Sequence, residues 1–193
     1  MIKVGLCGTI GSGKSTICRL FEQRGVAVYI ADDRAKELMT ADPTLISQIC
    51  EAFGAECYQD GELNRRYLAS QIFADDSKRL LLNSIVHPAV CRHFQQWAEG
   101  QSGDYVIVES AILFESGLDK VVDKTIAVVV PPQVAVERAA ARDGVDKAAI
   151  LARMAVQKSG EQLAECVDFV IDNSSLEQAK LRVAEIDSLL REL

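Results

Sequence analysis

Gly8-Thr9-Ile10-Gly11-Ser12-Gly13-Lys14-Ser15 satisfies every constrained position of the pattern G-x-x-x-x-G-K-[ST], a loop whose backbone amides cradle phosphates. Its flanks are those the loop requires. Ile2-Lys3-Val4-Gly5-Leu6-Cys7 is a short, mostly apolar run suited to a buried strand, and the stretch from Ser15 to Glu22 places Ile17, Leu20 and Phe21 on one helical face. Strand, glycine-rich turn and helix together predict a triphosphate site. Gly8, Gly11 and Gly13 allow backbone approaches that a Cβ blocks, Lys14 supplies a mobile positive charge for the β- and γ-phosphates, and the Ser15 hydroxyl suits Mg²⁺.

The rest of the composition limits what such a site serves. With 193 residues the chain is long enough for one α/β core with an inserted subdomain, and too short for two independent domains of ordinary size. The net charge of −7 argues against a broad nucleic-acid footprint, so an anionic ligand must be held by local positive groups. No apolar run approaches the ~18 residues of a membrane span, and the N-terminus enters a strand without a basic-then-apolar leader, so the expected location is cytoplasmic. Cysteines at 7, 18, 50, 57, 91 and 166 include no C-x-x-C pair and fall mostly on apolar faces, as reduced core residues do.

Downstream of the loop, Arg24-Gly25 stops the first helix, and Val26 to Ile30 forms a second apolar run that ends on Ala31-Asp32-Asp33. Ligands of open parallel sheets bind beyond the carboxyl ends of the strands, which puts these carboxylates where chemistry is done. The plainer reading is that one of them caps a helix beginning near Arg34. From Arg34 to Trp97 the pattern turns helical. Asp42-Pro43 opens a helix with Leu45, Ile46, Ile49 and Phe53 on one face. Gln59-Asp60-Gly61 marks a turn, and a helix from Asn64 carries Leu68, Ile72 and Phe73. Another, from about Asp76 to Val86, points Leu80, Leu81 and Ile85 inward until His87-Pro88 interrupts it, and Pro88 opens the next, faced by Val90, Cys91, Phe94 and Trp97. Arg65 and Arg66 are either a solvated pair or phosphate ligands. His87 is either a helix-end residue or a substrate contact.

Tyr105 to Val108 is a third apolar run, ending on Glu109, the placement of a carboxylate that holds Mg²⁺ directly or through water. The apolar turn from Ala111 to Leu118 carries Glu115, which either caps a short helix or touches substrate. Thr125 to Val130 is a β-branched strand stopped by Pro131-Pro132. Arginines 138 and 142 share one face of the helix that follows, Asp146 caps the next, and Arg153 and Gln157 lie four apart on it. This helical pair suits a lid that brings guanidinium groups over a transferring phosphate, or else a wet surface laced with ion pairs. Asp168 to Asp172 is a last strand, and Ser175-Leu176-Glu177-Gln178 is a capping box for a terminal helix with Leu176, Ala179, Val183, Ile186 and Leu190 inward. The expected fold is α/β, a three-layer P-loop NTPase fold around a mostly parallel sheet. It forms a single domain over 1–193, with a helical substrate-binding insertion at about 34–97 and a helical lid at about 133–160.

Over essentially its whole length the chain resembles the dephospho-CoA kinase family. Gly5 to Thr16 is similar to the family's opening, Leu82-Asn83-Ser84-Ile85-Val86-His87-Pro88 to its L-N-x-x-x-H-P segment, and Ile112-Leu113-Phe114-Glu115-Ser116-Gly117 to its L-L-F-E stretch. Arg142-Asp143, the Arg153-to-Gln157 spacing and Ile171-Asp172-Asn173 fit as well. The resemblance implies transfer of the γ-phosphoryl group of ATP to the 3′-hydroxyl of dephospho-CoA. It makes Asp32, Lys14 and Arg142 catalytic. Gly11, Ser12, Gly13, Lys14, Ser15, Thr16, Arg142 and Asn173 would bind ATP. Asp32, Arg65, His87, Glu115 and Arg153 would bind the acceptor, and Ser15 and Glu109 would hold Mg²⁺. The first Asp of the family's D-A-D motif is Ile30 here, its usual Gly is Thr9, and its usual Pro before L-L is Ala111. The expected partners are ATP and dephospho-CoA, with neither nucleic acid nor membrane. The competing readings are a kinase for another small alcohol or nucleotide, and a regulatory NTPase. A GTPase would need an N-K-x-D tetrapeptide, which the sequence lacks.

Overall fold

Five mostly apolar stretches make the central sheet, and helices make nearly everything between them. The computed structural model describes residues 1–73, 75–155 and 158–193, with the Arg153 side chain outside the description. In chain order the elements are β1 (Ile2–Gly8), α1 (Lys14–Glu22), β2 (Ala27–Ile30), α2 (Ala31–Ala41), α3 (Pro43–Phe53), a 3₁₀ turn (Ala55–Cys57), β3 (Tyr58–Gln59), β4 (Glu62–Leu63), α4 (Arg65–Phe73) and α5 (Asp76–Glu99). They continue with β5 (Tyr105–Glu109), a 3₁₀ turn (Leu118–Val121), β6 (Lys124–Val129), α6 (Pro132–Asp143), α7 (Lys147–Met154), α8 (Gly160–Cys166), β7 (Phe169–Asp172) and α9 (Leu176–Arg191). The chain divides into two compact units, residues 1–29 with 98–193, and residues 30–97.

In the first unit the sheet order is β2-β5-β1-β6-β7, and β1 is parallel to both β5 and β6 while β7 is parallel to β6. Alternation along β1 decides what covers it. Val4 and Leu6 face a core shared with Ile17, Cys18 and Phe21 of α1 and with Ala179, Val183, Ile186 and Leu190 of α9. On the other face a Cβ at Gly5 would sit 2.8 Å from Leu113, so the strand needs glycine there to let the 111–117 turn close in. Parallel strands hydrogen-bonded on both edges and covered on both faces explain why the central runs are almost continuously apolar.

At the amino-terminal edge of this sheet lies a buried charge that the hydrophobic pattern does not announce. Asp187, 4% exposed, accepts from Arg24 Nε at 2.7 Å, from the Tyr105 hydroxyl at 2.7 Å and from Arg191 Nε at 2.9 Å. Burial pushes its carboxyl up, but the three donors outweigh this and hold it below the usual carboxylate range.

The second unit is helical apart from the β3–β4 hairpin, whose turn sets both Asp60 and Gly61 at positive φ. Asp42 caps α3 by accepting from the Thr44 and Leu45 amides, and Leu45, Ile49 and Phe53 are buried. Three expectations are corrected here. Helix α2 starts at Ala31, so Asp32 and Asp33 occupy its first turn rather than capping a later helix. Helix α5 runs through His87-Pro88 without a break. Phe73, Leu80 and Leu81 are exposed, and the inward face of α5 is instead Leu82, Val86, Ala89, Val90 and Phe94. Two more corrections fall in the first unit. Leu176 is 47% exposed, because the Ser175 cap leaves it outside the inward stripe of α9, and α8 is a helix where none was expected. All six cysteines are free thiols, buried at 7, 18 and 57, partly buried at 50 and 91, and exposed at 166. Among the described residues no helix is long and apolar enough to cross a membrane.

Candidate active site

The loop after β1 is shaped by what its glycines lack. A Cβ at Gly8 would lie 2.5 Å from the Val128 carbonyl and 2.6 Å from Ser12 Oγ. Gly11 and Gly13 have φ of 79° and 89°, and a Cβ on them would strike the Ala135 carbonyl and the Asn173 side-chain amide respectively. Only glycine meets both conditions, the left-handed backbone and the close approach. Gly13 caps α1 without a side-chain bond, and although the Thr16 N–H bonds to the Gly13 carbonyl at 2.9 Å, the Lys14 and Ser15 amides at the helix start are left to face an anion.

Lys14 begins α1 and folds back over its own loop. Its Nζ donates to the Gly8 carbonyl at 3.0 Å and the Thr9 carbonyl at 3.4 Å, and lies 3.8 Å from Glu109 Oε1. Glu109 is the last residue of β5 and is only 8% exposed, so the strand end turns its carboxylate toward the lysine rather than to solvent. Ser15 and Thr16 follow Lys14 in the first turn of α1 and are exposed. A hydroxyl and a carboxylate are oxygen donors of the kind a hard cation takes, so Ser15 and Glu109 fit Mg²⁺ chemically.

Asn173 and Arg138 meet at the same loop. The Asn173 amide donates to the Ser12 carbonyl at 2.9 Å, its backbone N–H donates to the Val129 carbonyl at 2.9 Å, and its own carbonyl accepts from Arg138 Nη1 at 3.0 Å. Arg142, one turn further along α6, is turned away and forms two bonds to Asp143 at 2.7 and 3.1 Å, with its side chain 65% exposed. Helical spacing does not rank the two arginines, which share one face, and the family resemblance singles out Arg142, whereas Arg138 is the one bonded to Asn173 beside the loop. Glu115 is exposed in the 111–117 turn and caps no helix. Gln157 and the Arg153 side chain lie outside the described residues.

In the second unit, Asp32 and Asp33 are both exposed in the first turn of α2, where the helix N-terminus favours negative charge. Asp33 pairs with Lys36 at 2.8 Å, whereas Asp32 forms no hydrogen bond or salt bridge with a described residue of its unit. The Asp33 hydrogen bond and charge raise the pKa of Lys36, and Asp32 adds to this while Arg65 opposes it, so these four residues form one charged patch. Arg65 and Arg66 are exposed at the start of α4. His87 is half-buried in mid-helix, and burial pushes its imidazole below its ordinary value, which makes it neutral at pH 7.

A family model described as dephospho-CoA kinase matches residues 2–178. The chain belongs to the dephospho-CoA kinase family. A dephospho-CoA kinase of Bacteroides fragilis strain YCH46 is 37% identical over 190 residues, covering 98% of this chain and 93% of its own length. Among solved structures, TT1252 from Thermus thermophilus superposes with a TM-score of 0.83 at 29% identity, covering 100% of this chain and 97% of its own. A dephospho-CoA kinase from Campylobacter jejuni, at 20% identity and a TM-score of 0.70 over 98% of this chain and 97% of its own, shares the fold. Membership of the dephospho-CoA kinase family makes the chain a phosphotransferase acting on an alcohol acceptor.

Proposed function

We propose that this chain phosphorylates the 3′-hydroxyl of dephospho-CoA with ATP, releasing coenzyme A and ADP. The observation that carries the proposal is the phosphate loop itself, with Lys14 poised between the loop carbonyls and Glu109, in a chain of this family. Phosphoryl transfer asks little covalent chemistry of a protein and a great deal of positioning and charge neutralisation. In this reading the segment from Gly11 to Thr16 holds the β- and γ-phosphates, through those of its amides that are not already bonded inside the loop as Ser12 and Thr16 are. Lys14 leaves the Gly8 and Thr9 carbonyls to follow the transferring group, and the arginines of α6 neutralise charge as it develops. Ser15 and Glu109, the latter directly or through water, are the residues that would hold Mg²⁺, whose contribution when bound is to neutralise the phosphate oxygens. Asp32 aligns the acceptor hydroxyl and takes its proton. It lies two residues beyond the last residue of β2, and its neighbour Asp33 is already engaged by Lys36. Arg65, His87, Glu115 and Arg153 serve the acceptor, His87 as a neutral hydrogen-bonding group rather than a cation.

An acceptor screen by coupled ADP release tests this. ADP is expected with dephospho-CoA and not with nucleoside monophosphates or shikimate. Release with one of those alone, or acceptor-independent hydrolysis only, would contradict it.

A further inference from the structure

Ser12 is fully buried, and its Oγ has no hydrogen-bond partner among the described residues. The residue is therefore held through its backbone. Its N–H bonds to the Thr9 carbonyl at 3.1 Å, inside the loop, and its carbonyl takes the Asn173 amide at 2.9 Å, from a residue at the carboxyl end of β7. Asn173 is itself anchored at both ends of its backbone, by the Val129 carbonyl and by Arg138, and is only 5% exposed. The side-chain nitrogen that holds Ser12 also lies where a Gly13 side chain would be.

We infer that Asn173 is a positioning residue for the phosphate loop, acting on bound triphosphate through the Ser12–Gly13 peptide rather than by touching the nucleotide. The C=O and N–H of a trans peptide point to opposite sides, and the chain has no cis peptide. Fixing the Ser12 carbonyl on Asn173 therefore turns the Gly13 N–H the other way, to join the open first-turn amides of α1 as an anion-binding nest. The bond crosses from β7 to the loop after β1, so it holds the loop in its receptive shape before any ligand arrives. A preformed donor array loses no ordering free energy on binding, which is the advantage Asn173 provides. Arg138 shares this anchor, so the same residue ties the middle of α6 to the loop.

This inference rests on the reading of the loop as a triphosphate site and separates from it experimentally. Calorimetric titrations of wild type and Asn173→Asp with ATP, adenosine and inorganic tripolyphosphate, all with Mg²⁺, distinguish the roles. The near-isosteric aspartate replaces a donor with an acceptor facing the Ser12 carbonyl. ATP and tripolyphosphate should each bind about tenfold more weakly, as for loss of one buried hydrogen bond, with adenosine unchanged. Weakening of adenosine and ATP with tripolyphosphate untouched would make Asn173 a base contact and overturn the inference. So would a variant that binds all three as wild type does. If the variant does not fold, amide spectra of the wild-type protein decide. The Gly13 amide should shift with tripolyphosphate and the Asn173 side-chain amide should not move with adenosine, whereas an adenosine-induced shift of that side chain would contradict the inference. Wild-type protein that binds neither ATP nor tripolyphosphate would refute the triphosphate reading and the inference with it.

Discussion

Asp32 and Asp33 are neighbours of one chemical kind in one helical turn, yet the structure treats them differently. Asp33 is held by Lys36 at 2.8 Å, while Asp32 has no such partner among the described residues of its unit. A carboxylate that accepts or aligns a proton in the transition state contributes about 10²–10⁴ in rate. Asp32→Asn should therefore lower kcat at least about a hundredfold while the dissociation constant for ATP stays near that of wild type. Asp33→Asn should leave turnover nearly unchanged. Steady-state ADP release and ATP titration read both, and near-normal turnover of Asp32→Asn would remove the assignment. The residue types of this region were legible in the sequence, but the partner of each carboxylate was not. Whether Asp33 pairs with Lys36 depends on where α2 begins, and a helix starting at Ala31 puts the two residues one turn apart.

At the scale of elements, the Asp187 cluster ties the turn after α1 to β5 and α9 through Arg24, Tyr105 and Arg191. Asp187→Ala leaves the buried Tyr105 hydroxyl without its acceptor, while Arg24 and Arg191, each 39% exposed, turn to water, so it should destabilise the protein by about 2 kcal/mol at pH 7 by denaturant unfolding. The Asp187 carboxyl is held below its unfolded value of about 3.9, so its contribution is complete above roughly pH 4 and is lost as pH falls through the lowered folded value. The gap between wild type and variant should accordingly narrow with acidification below about pH 4. A gap that widened there, or none at pH 7, would contradict this account. Helix α5 shows where local signals mislead. Pro88 removes one helical hydrogen bond at a cost of about 3 kcal/mol, a fair reason to expect a break. Burial of Leu82, Val86, Ala89, Val90 and Phe94 along one face outweighs it. Helix α8, by contrast, had a sequence signal, since Ser159 and Gln162 form a reciprocal capping box of the kind expected before α9. At α9 the Ser175 side chain accepts from the Gln178 amide at a long 3.5 Å.

For the molecule as a whole, the phosphate loop with its flanking strand and helix was enough to assign the class of fold, because the glycines, the lysine and the apolar runs are all local in sequence. The strand order β2-β5-β1-β6-β7 was not legible, since it arises from pairings between distant segments. The same holds for the Asn173–Ser12 bond, whose partners are 161 positions apart, and for the choice between Arg138 and Arg142 at the loop. Family membership supplies the acceptor that neither the motif nor the sheet identifies. The central claim is that the triphosphate held by this loop gives its terminal phosphoryl group to the ribose of dephospho-CoA. Phosphorus NMR of a reaction containing protein, MgATP and dephospho-CoA tests it directly. A new 3′-phosphomonoester resonance should grow in step with ADP, whereas ADP and inorganic phosphate without that resonance would contradict the claim.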